Sequence, residues 1–101
     1  MTTINALLMD EKDNVVTCVA EVAAGEDVTY RAGNGIHTVR ADEPIPYCHK
    51  VALVDIEKGA DIVKYGESLG VTTSAVKKGG WVAHHNLVSV PRDYESEMIK
   101  L

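Results

Sequence analysis

Two adjacent pairs, His49-Lys50 and His85-Asn86, carry the side chains of this sequence that are best suited to acid–base or binding chemistry. An imidazole exchanges protons near neutral pH, and a Lys ammonium binds anionic oxygen. We therefore predict that His49 and Lys50 are catalytic residues. Because neighbouring residues of a strand face opposite sides, one of the two can point away from a shared site. The alternative is a structural His49 beside a solvated Lys50.

A complete metal site within this chain is not expected. The sequence has no CxxC or HxxxH spacing, and no carboxylate stands at a fixed ligand spacing from a histidine. His84 and His85 are adjacent on a predicted strand, so they face one site together only if a bulge intervenes. His85 is the residue that we expect to complete a metal site on a partner.

Three other side chains each have two interpretations. Lys64 can bind an anion or be solvated, and we include it among the predicted substrate-binding residues. Tyr65 is expected to pack with its hydroxyl hydrogen-bonded, although it could also lie near substrate. Trp81, the one Trp of the chain, is either an interface anchor or a core residue.

The two cysteines, Cys18 and Cys48, are far apart and have no metal-like spacing. We expect both to be buried thiols in a reducing compartment. Cys48 precedes His49, but adjacent residues rarely have the geometry of a nucleophile and its base, so no catalytic role is assigned to it.

Short strands separated by turns are the elements that must position these residues. The clearest local prediction is a hairpin in which residues 28–31 and 36–40 flank the turn Ala32-Gly33-Asn34-Gly35. Six further segments have the length and the apolar or alternating pattern of strands: residues 6–9, 15–19, 50–54, 62–65, 68–72 and 81–85.

A pattern of the form apolar-x-x-Gly-x-x-apolar occurs at residues 22–28, 56–62 and 76–82. We expect each copy to be a single helical turn that ends at its Gly, since Gly can take positive φ. No copy is long enough to be a stable helix alone. Short strands, glycine turns and one-turn helices predict a compact, mostly β fold without large sheets.

The size and charge of the chain limit its function. A chain of 101 residues is one domain with a modest core, which Val, Ile, Leu and Ala must fill because Phe is absent. The net charge of −5 argues against a nucleic-acid partner. No apolar run approaches the roughly 20 residues of a membrane span, and the start does not resemble a secretory signal. We predict a cytoplasmic protein with a domain at residues 1–90 and a polar tail at 91–101.

Residues 45–86 resemble the small N-terminal SAF domain of altronate and galactarate dehydratases. The matching motifs, in order, are His49-Lys50, an apolar strand, Asp-Ile-x-x-Gly at 55–59, Lys-Tyr-Gly at 64–66, a Gly four residues later, and His85-Asn86. An opening Asp-Asn-Val-Val at 13–16 and an Ala-Gly turn at 24–25 extend the resemblance over most of the chain.

This resemblance implies a β-clip fold of the SAF type and the role of a small accessory subunit. The enzyme would be a metal-dependent hydro-lyase that removes water from a sugar acid such as altronate or galactarate. A separate large catalytic subunit would hold the divalent metal, usually iron. The small subunit would cover the active site and add His49 and Lys50 as catalytic residues, Lys64, His85 and Asn86 as substrate-binding residues, and His85 as a metal ligand.

The sequence departs from the family pattern at three positions. Cys48 stands where the family has Gly before His-Lys, and Trp81 and Ala83 stand where it has histidines. Whatever those two histidines do in relatives is therefore in question for this chain.

Other functions remain open from the sequence. A related arrangement of small and large subunits cleaves sulfite from sulfolactate, and the chain could be its small subunit. A non-catalytic SAF module that binds carbohydrate or protein is another alternative, and a structural relic is a third. Exposed apolar positions meant for a partner can also pair the isolated chain into a homo-oligomer.

Overall fold

Short strands and the turns between them form the protein. The computed structural model describes residues 3–89, and the tail predicted at 91–101 lies outside that range. No helix occurs within residues 3–89, which confirms the mostly β prediction. The strands are β1 (Ala6–Leu7), β2 (Val15–Cys18), β3 (Asp27–Ala32), β4 (Gly35–Arg40), β5 (Lys50–Ala52), β6 (Asp61–Lys64), β7 (Glu67–Thr72), β8 (Trp81–Val82) and β9 (Leu87–Val88).

The strands pair in three antiparallel sheets. A central sheet has the order β1-β2-β5-β8, in which β1 and β2 are consecutive and the pairs β2-β5 and β5-β8 join strands that are not consecutive in sequence. The hairpin β3-β4 forms the second sheet, and the hairpin β6-β7 with β9 forms the third. Since no helix lies within residues 3–89, none is long and apolar enough to cross a membrane.

The central sheet has a core on each face. Val16 and Val51 are paired and belong to the core shared with the β3-β4 hairpin. Val15 and Ala52, the next pair, belong to the core shared with the sheet of β6, β7 and β9. Successive residues of a strand point to opposite faces, so β2 and β5 are apolar on both sides. Burying a Val side chain contributes about 1.5–3 kcal/mol, so the buried valines of these two strands stabilise the fold on both faces of the sheet.

The predicted hairpin is confirmed as β3-β4. Asp27 pairs with Arg40 at its open end and Ala32 with Gly35 at its closed end. The two-residue loop, Gly33-Asn34, has positive φ only at Gly33 (59°), as a type II′ turn requires at its first central position.

The three glycine-containing segments are turns, and the prediction of one-turn helices is wrong. Each turn is closed by one hydrogen bond from its fourth residue to its first, as in Glu26 N–H to the Ala23 carbonyl at 3.0 Å. The third residue has positive φ, namely 85°, 81° and 88° at Gly25, Gly59 and Gly79. Positive φ at this position turns the chain directly into the next strand and prevents a helix from continuing.

A fourth copy of this turn lies at residues 45–51, with Cys48 in the position of the glycine. The His49 N–H bonds the Pro46 carbonyl at 3.2 Å, and Cys48 has φ of 66°. Ile45, the first residue of the copy, forms a bridge with Val22, just as Ile56 does with Val76. The four turns therefore pair two by two.

Two asparagines hold the halves of the protein in the same way. The Asn5 side chain accepts from Thr29 N–H at 2.7 Å and donates to the Asp27 carbonyl at 3.0 Å. The Asn14 side chain accepts from Val63 N–H at 2.8 Å and donates to the Asp61 carbonyl at 2.9 Å. Each amide thus fixes the strand that follows one of the glycine turns, and the fold is an internal duplication.

Candidate functional site

Pairing of β5 with β8 brings His49 and Trp81 together. Val51 is opposite Trp81, so the residue before β5 lies beside the indole. The Trp81 Nε1–H donates to His49 Nδ1 at 2.9 Å, and the two rings meet edge to face with centroids 5.4 Å apart. Both side chains are partly buried, and Trp81 packs against the core of the β3-β4 hairpin.

His85 lies against the same indole. Its ring centroid is 4.6 Å from that of Trp81, with the planes tilted by 50°. His84 and His85 are both exposed, and their rings are 6.2 Å apart. His49, Trp81 and His85 thus form one surface group, which we call the histidine–tryptophan cluster.

The strand predicted at residues 81–85 ends at Val82, and a turn follows. Asn86 closes this turn because its side-chain oxygen accepts from Ala83 N–H at 2.9 Å and its side-chain nitrogen donates to the Trp81 carbonyl at 2.7 Å. The turn removes the strict alternation of strand residues and allows His85 to reach Trp81. Asn86 itself is buried under the cluster, and its predicted role in substrate binding stays a prediction.

Lys50 lies on the face of the central sheet opposite the cluster. Lys50 pairs with Thr17 and Val82. Val82 belongs to the core that the central sheet shares with the sheet of β6, β7 and β9, so Lys50 lies on that face. His49 and Lys50 therefore point to opposite faces of the central sheet, as expected for neighbouring residues of a strand. Burial lowers the pKa of the Lys50 ammonium below its usual value of 10.5, with repulsion from Lys64 as a second cause.

Lys64 reaches the same region from the β6-β7 hairpin, whose turn is Tyr65-Gly66. Tyr65 has φ of 57° and an exposed ring, with the Lys64 Nζ 5.4 Å from its centroid. The buried carboxylate of Asp13 holds this turn by accepting from Tyr65 N–H at 3.0 Å and Gly66 N–H at 2.8 Å. The expectation of a packed Tyr65 is wrong, since its side chain projects from this tight turn into solvent.

Two residues that sequence analysis did not select help to position the site. The Glu43 carboxylate accepts from Trp81 N–H at 3.1 Å. Asp13 fixes the turn after Lys64, as described above. Glu43 gives no signal of this kind in sequence, because its partner is 38 residues away. Asp13 belongs to the Asp-Asn-Val-Val motif at 13–16, but the motif does not show that its partner is Tyr65, 52 residues away.

Both cysteines are free. The expectation of a buried thiol is confirmed for Cys18 and is wrong for Cys48. Cys18 is buried, and burial raises the pKa of its thiol to about 11. Cys48 is exposed in the fourth turn. A thiol with a raised pKa is a weak nucleophile at neutral pH, so Cys18 is a core residue.

Within residues 3–89, no group of three or more His, Cys, Asp or Glu side chains is arranged to hold a metal ion. The histidine–tryptophan cluster supplies two imidazoles, and one of them is engaged by the indole. The role of His85 as a ligand to a metal held by a partner stays a prediction.

Fold and site together define a small β-domain in which two histidines, His49 and His85, contact one tryptophan, Trp81. A sequence model of the altronate/galactarate dehydratase SAF domain matches residues 4–90. The chain belongs to this family.

Two curated relatives support the assignment. Altronate dehydratase of Escherichia coli (strain K12) is 38% identical over 74 residues, which are 73% of this chain and 14% of that protein. Galactarate dehydratase (L-threo-forming) of the same strain is 45% identical over 40 residues, which are 40% of this chain and 8% of that protein. The chain therefore spans a small part of the length of these relatives.

Proposed function

We propose that this chain is the small accessory subunit of a metal-dependent hydro-lyase that acts on a sugar acid such as altronate or galactarate. The observation that carries the proposal is the match of residues 4–90 to the SAF domain of these dehydratases, in a chain whose described histidines do not complete a metal site. The catalytic centre would belong to a separate large subunit, and this chain would cover it.

The histidine–tryptophan cluster is the surface that we assign to the active-site side. His49 and His85 both lie against Trp81, and His85 is exposed. Imidazoles at such a surface can hydrogen-bond the carboxylate and hydroxyl oxygens of a sugar acid. His85 would supply the one metal ligand that this chain can offer, beside those of the large subunit.

Lys50 and Lys64 favour an anionic substrate on the other face of the sheet. Repulsion between the two ammonium groups indicates that they lie in the same region. Two ammonium groups suit a carboxylate. This region and the cluster are on opposite faces of the sheet, so they would contact different parts of the partner or substrate.

A divalent metal such as iron, when bound by the large subunit, would act as a Lewis acid toward an oxygen of the substrate. This chain would contribute closure of the site, exclusion of water and hydrogen bonds to the acid. The proposal places the assembly in the cytoplasm, where the two free cysteines stay reduced.

Reconstitution tests the proposal. The chain is mixed with a purified large dehydratase subunit from the same genome, and water elimination from altronate, galactarate and other sugar acids is measured with and without it. We expect turnover to depend on this chain and to fall at least tenfold with His49→Ala, as loss of a positioned binding or acid–base group does. Sulfolactate is included in the panel, since release of sulfite would assign the sulfo-lyase function instead.

His37→Ala is the matched control. His37 is exposed on β4 and stacks on Tyr30 with ring centroids 5.7 Å apart. We expect it to leave turnover unchanged. Turnover that is the same without the chain would contradict the proposal and favour a non-catalytic binding module.

A further inference from the structure

The indole of Trp81 determines which nitrogen of His49 carries the proton. An indole N–H can only donate, so His49 Nδ1, at 2.9 Å, must accept with its lone pair. The neutral ring then has its proton on Nε2. This leaves His49 with a single outward function, an N–H donor at the nitrogen that faces away from the indole.

We propose that Trp81 is a positioning residue that fixes His49 in the Nε2–H form, so that His49 binds its ligand as a hydrogen-bond donor. The ligand that this donor fits is an oxygen anion or a hydroxyl, here that of the sugar acid; this ligand class rests on the proposed function. While the bond to Trp81 persists, Nε2 has no lone pair with which to take a proton or bind a metal.

The indole is itself held at both ends of its residue. Glu43 accepts from the Trp81 backbone N–H, and the Asn86 side chain donates to the Trp81 carbonyl. The His85 ring packs on the indole. These contacts come from two separate segments of the chain, so the donor nitrogen is pre-positioned before any ligand arrives.

The same contacts give the two histidines different roles. His49 is occupied at Nδ1, whereas the ring of His85 contacts the indole by packing. His49 is therefore the donor to the acid, and His85 is the histidine that can give a lone pair to a metal.

Nitrogen NMR of the isolated chain tests the inference without any partner. In long-range 1H–15N spectra at a pH where the ring is neutral, the unprotonated nitrogen of His49 resonates far downfield of the protonated one. We expect Nδ1 to be the unprotonated nitrogen and the Trp81 Nε1–H to exchange with water more slowly than a free indole. A proton on Nδ1, or an indole N–H that exchanges freely, would overturn the proposal.

Trp81→Phe keeps an aromatic ring and removes the donor. In this variant we expect the His49 nitrogen resonances to shift toward the averaged values of an unconstrained imidazole. A neutral hydrogen bond changes the ratio of the two tautomers about fivefold, and this bond is lost. His37, read in the same spectra, is the internal reference and should not move. Unchanged His49 nitrogens in a folded Trp81→Phe chain would show that the indole does not set the tautomer.

Replacement of His49 tests the donor role in the reconstituted enzyme. The side-chain nitrogen of Gln occupies nearly the position of Nε2, whereas that of Asn lies nearer Nδ1. We expect His49→Gln to retain several-fold more kcat/KM than His49→Asn, with the difference mainly in KM. Equal loss in both variants would contradict the donor role. Because the tautomer is measured on the chain alone, a reconstitution without activity would count against the proposed function and leave the NMR result standing.

Discussion

Cys48 is a residue in a conformation that suits glycine. Its φ of 66° matches the positive values at Gly25, Gly59 and Gly79 in the equivalent turns. A side chain in this conformation costs roughly 1–2 kcal/mol because Cβ crowds the carbonyl oxygen. The cost is tolerated because Cys48 N–H bonds the Cys18 carbonyl at 2.9 Å and the turn delivers His49 to the cluster.

Cys48→Gly should therefore stabilise the protein. We expect the free energy of unfolding to rise by about 1 kcal/mol, measured by urea denaturation under reducing conditions. Cys48→Ala is the control, since it removes the thiol and keeps Cβ, and it should leave stability nearly unchanged. If Ala stabilised as much as Gly, the thiol and not the backbone would be the source of strain.

At the residue scale, the sequence predicted the members of the site better than their contacts. His49 and His85 were selected for their chemistry, and they do share a surface group. Trp81 lies between them in this group, and its hydrogen bond to His49 links residues 32 positions apart, which no local sequence pattern encodes. For the same reason the sequence left two interpretations of Trp81, an interface anchor or a core residue. In the structure it is partly buried, and its indole N–H donates to His49.

Among the elements, the four turns have the same backbone and different surroundings. A Cβ added at Gly25 or Gly59 would meet no atom within 4 Å. One added at Gly79 would overlap the carbonyl oxygen of Arg40, since that turn packs against the end of β4. Gly79 is therefore required for both its φ and its lack of volume.

Alanine substitutions separate these two requirements. We expect Gly59→Ala to cost about 1 kcal/mol, the cost of positive φ alone. Gly79→Ala should cost about 3 kcal/mol or more, since overlap with backbone is added. The measurement is urea denaturation of both variants, with Gly25→Ala as a repeat of the first. Equal losses at positions 59 and 79 would show that β4 moves away without cost.

Element types followed from sequence where the signal was local. The β3-β4 hairpin was predictable because Gly-Asn at its tip matches a two-residue turn. The helical turns were predicted wrongly because apolar-x-x-Gly fits a helix end as well as a β-turn, and only long-range bridges such as Val22 to Ile45 decide between them. The fourth turn was not recognised because a Cys occupies the glycine position.

The whole molecule is organised around one sheet with a core on each face. Internal duplication gives each half an asparagine clamp and a pair of turns. Since His49 and Lys50 are successive residues, this arrangement sends the imidazole to one face and the ammonium to the other. A partner that bound both the imidazole and the ammonium would have to contact both faces of the sheet, around the end at which β5 begins.

The charged side chain of Lys50 lowers the free energy of unfolding, although the chain as a whole has a net charge of −5. Desolvation first, and Lys64 second, lower its pKa below 10.5 in the folded state. The unfolded chain therefore binds more protons than the folded one in the range between that lowered pKa and 10.5. The penalty is fully present at neutral pH, and it is lost as the pH rises through this range.

Lys50→Met should consequently stabilise the protein at pH 7, because it keeps the apolar stem and removes the buried charge. The gain should shrink as the pH is raised toward 10.5, measured by urea denaturation at several pH values. Lys58→Met, at an exposed turn position, is the control and should show no such pH dependence. A gain that is constant with pH would mean that packing, and not charge, is responsible. In the reconstituted enzyme the same variant should lose activity, because a residue that destabilises its own fold is retained for what it binds.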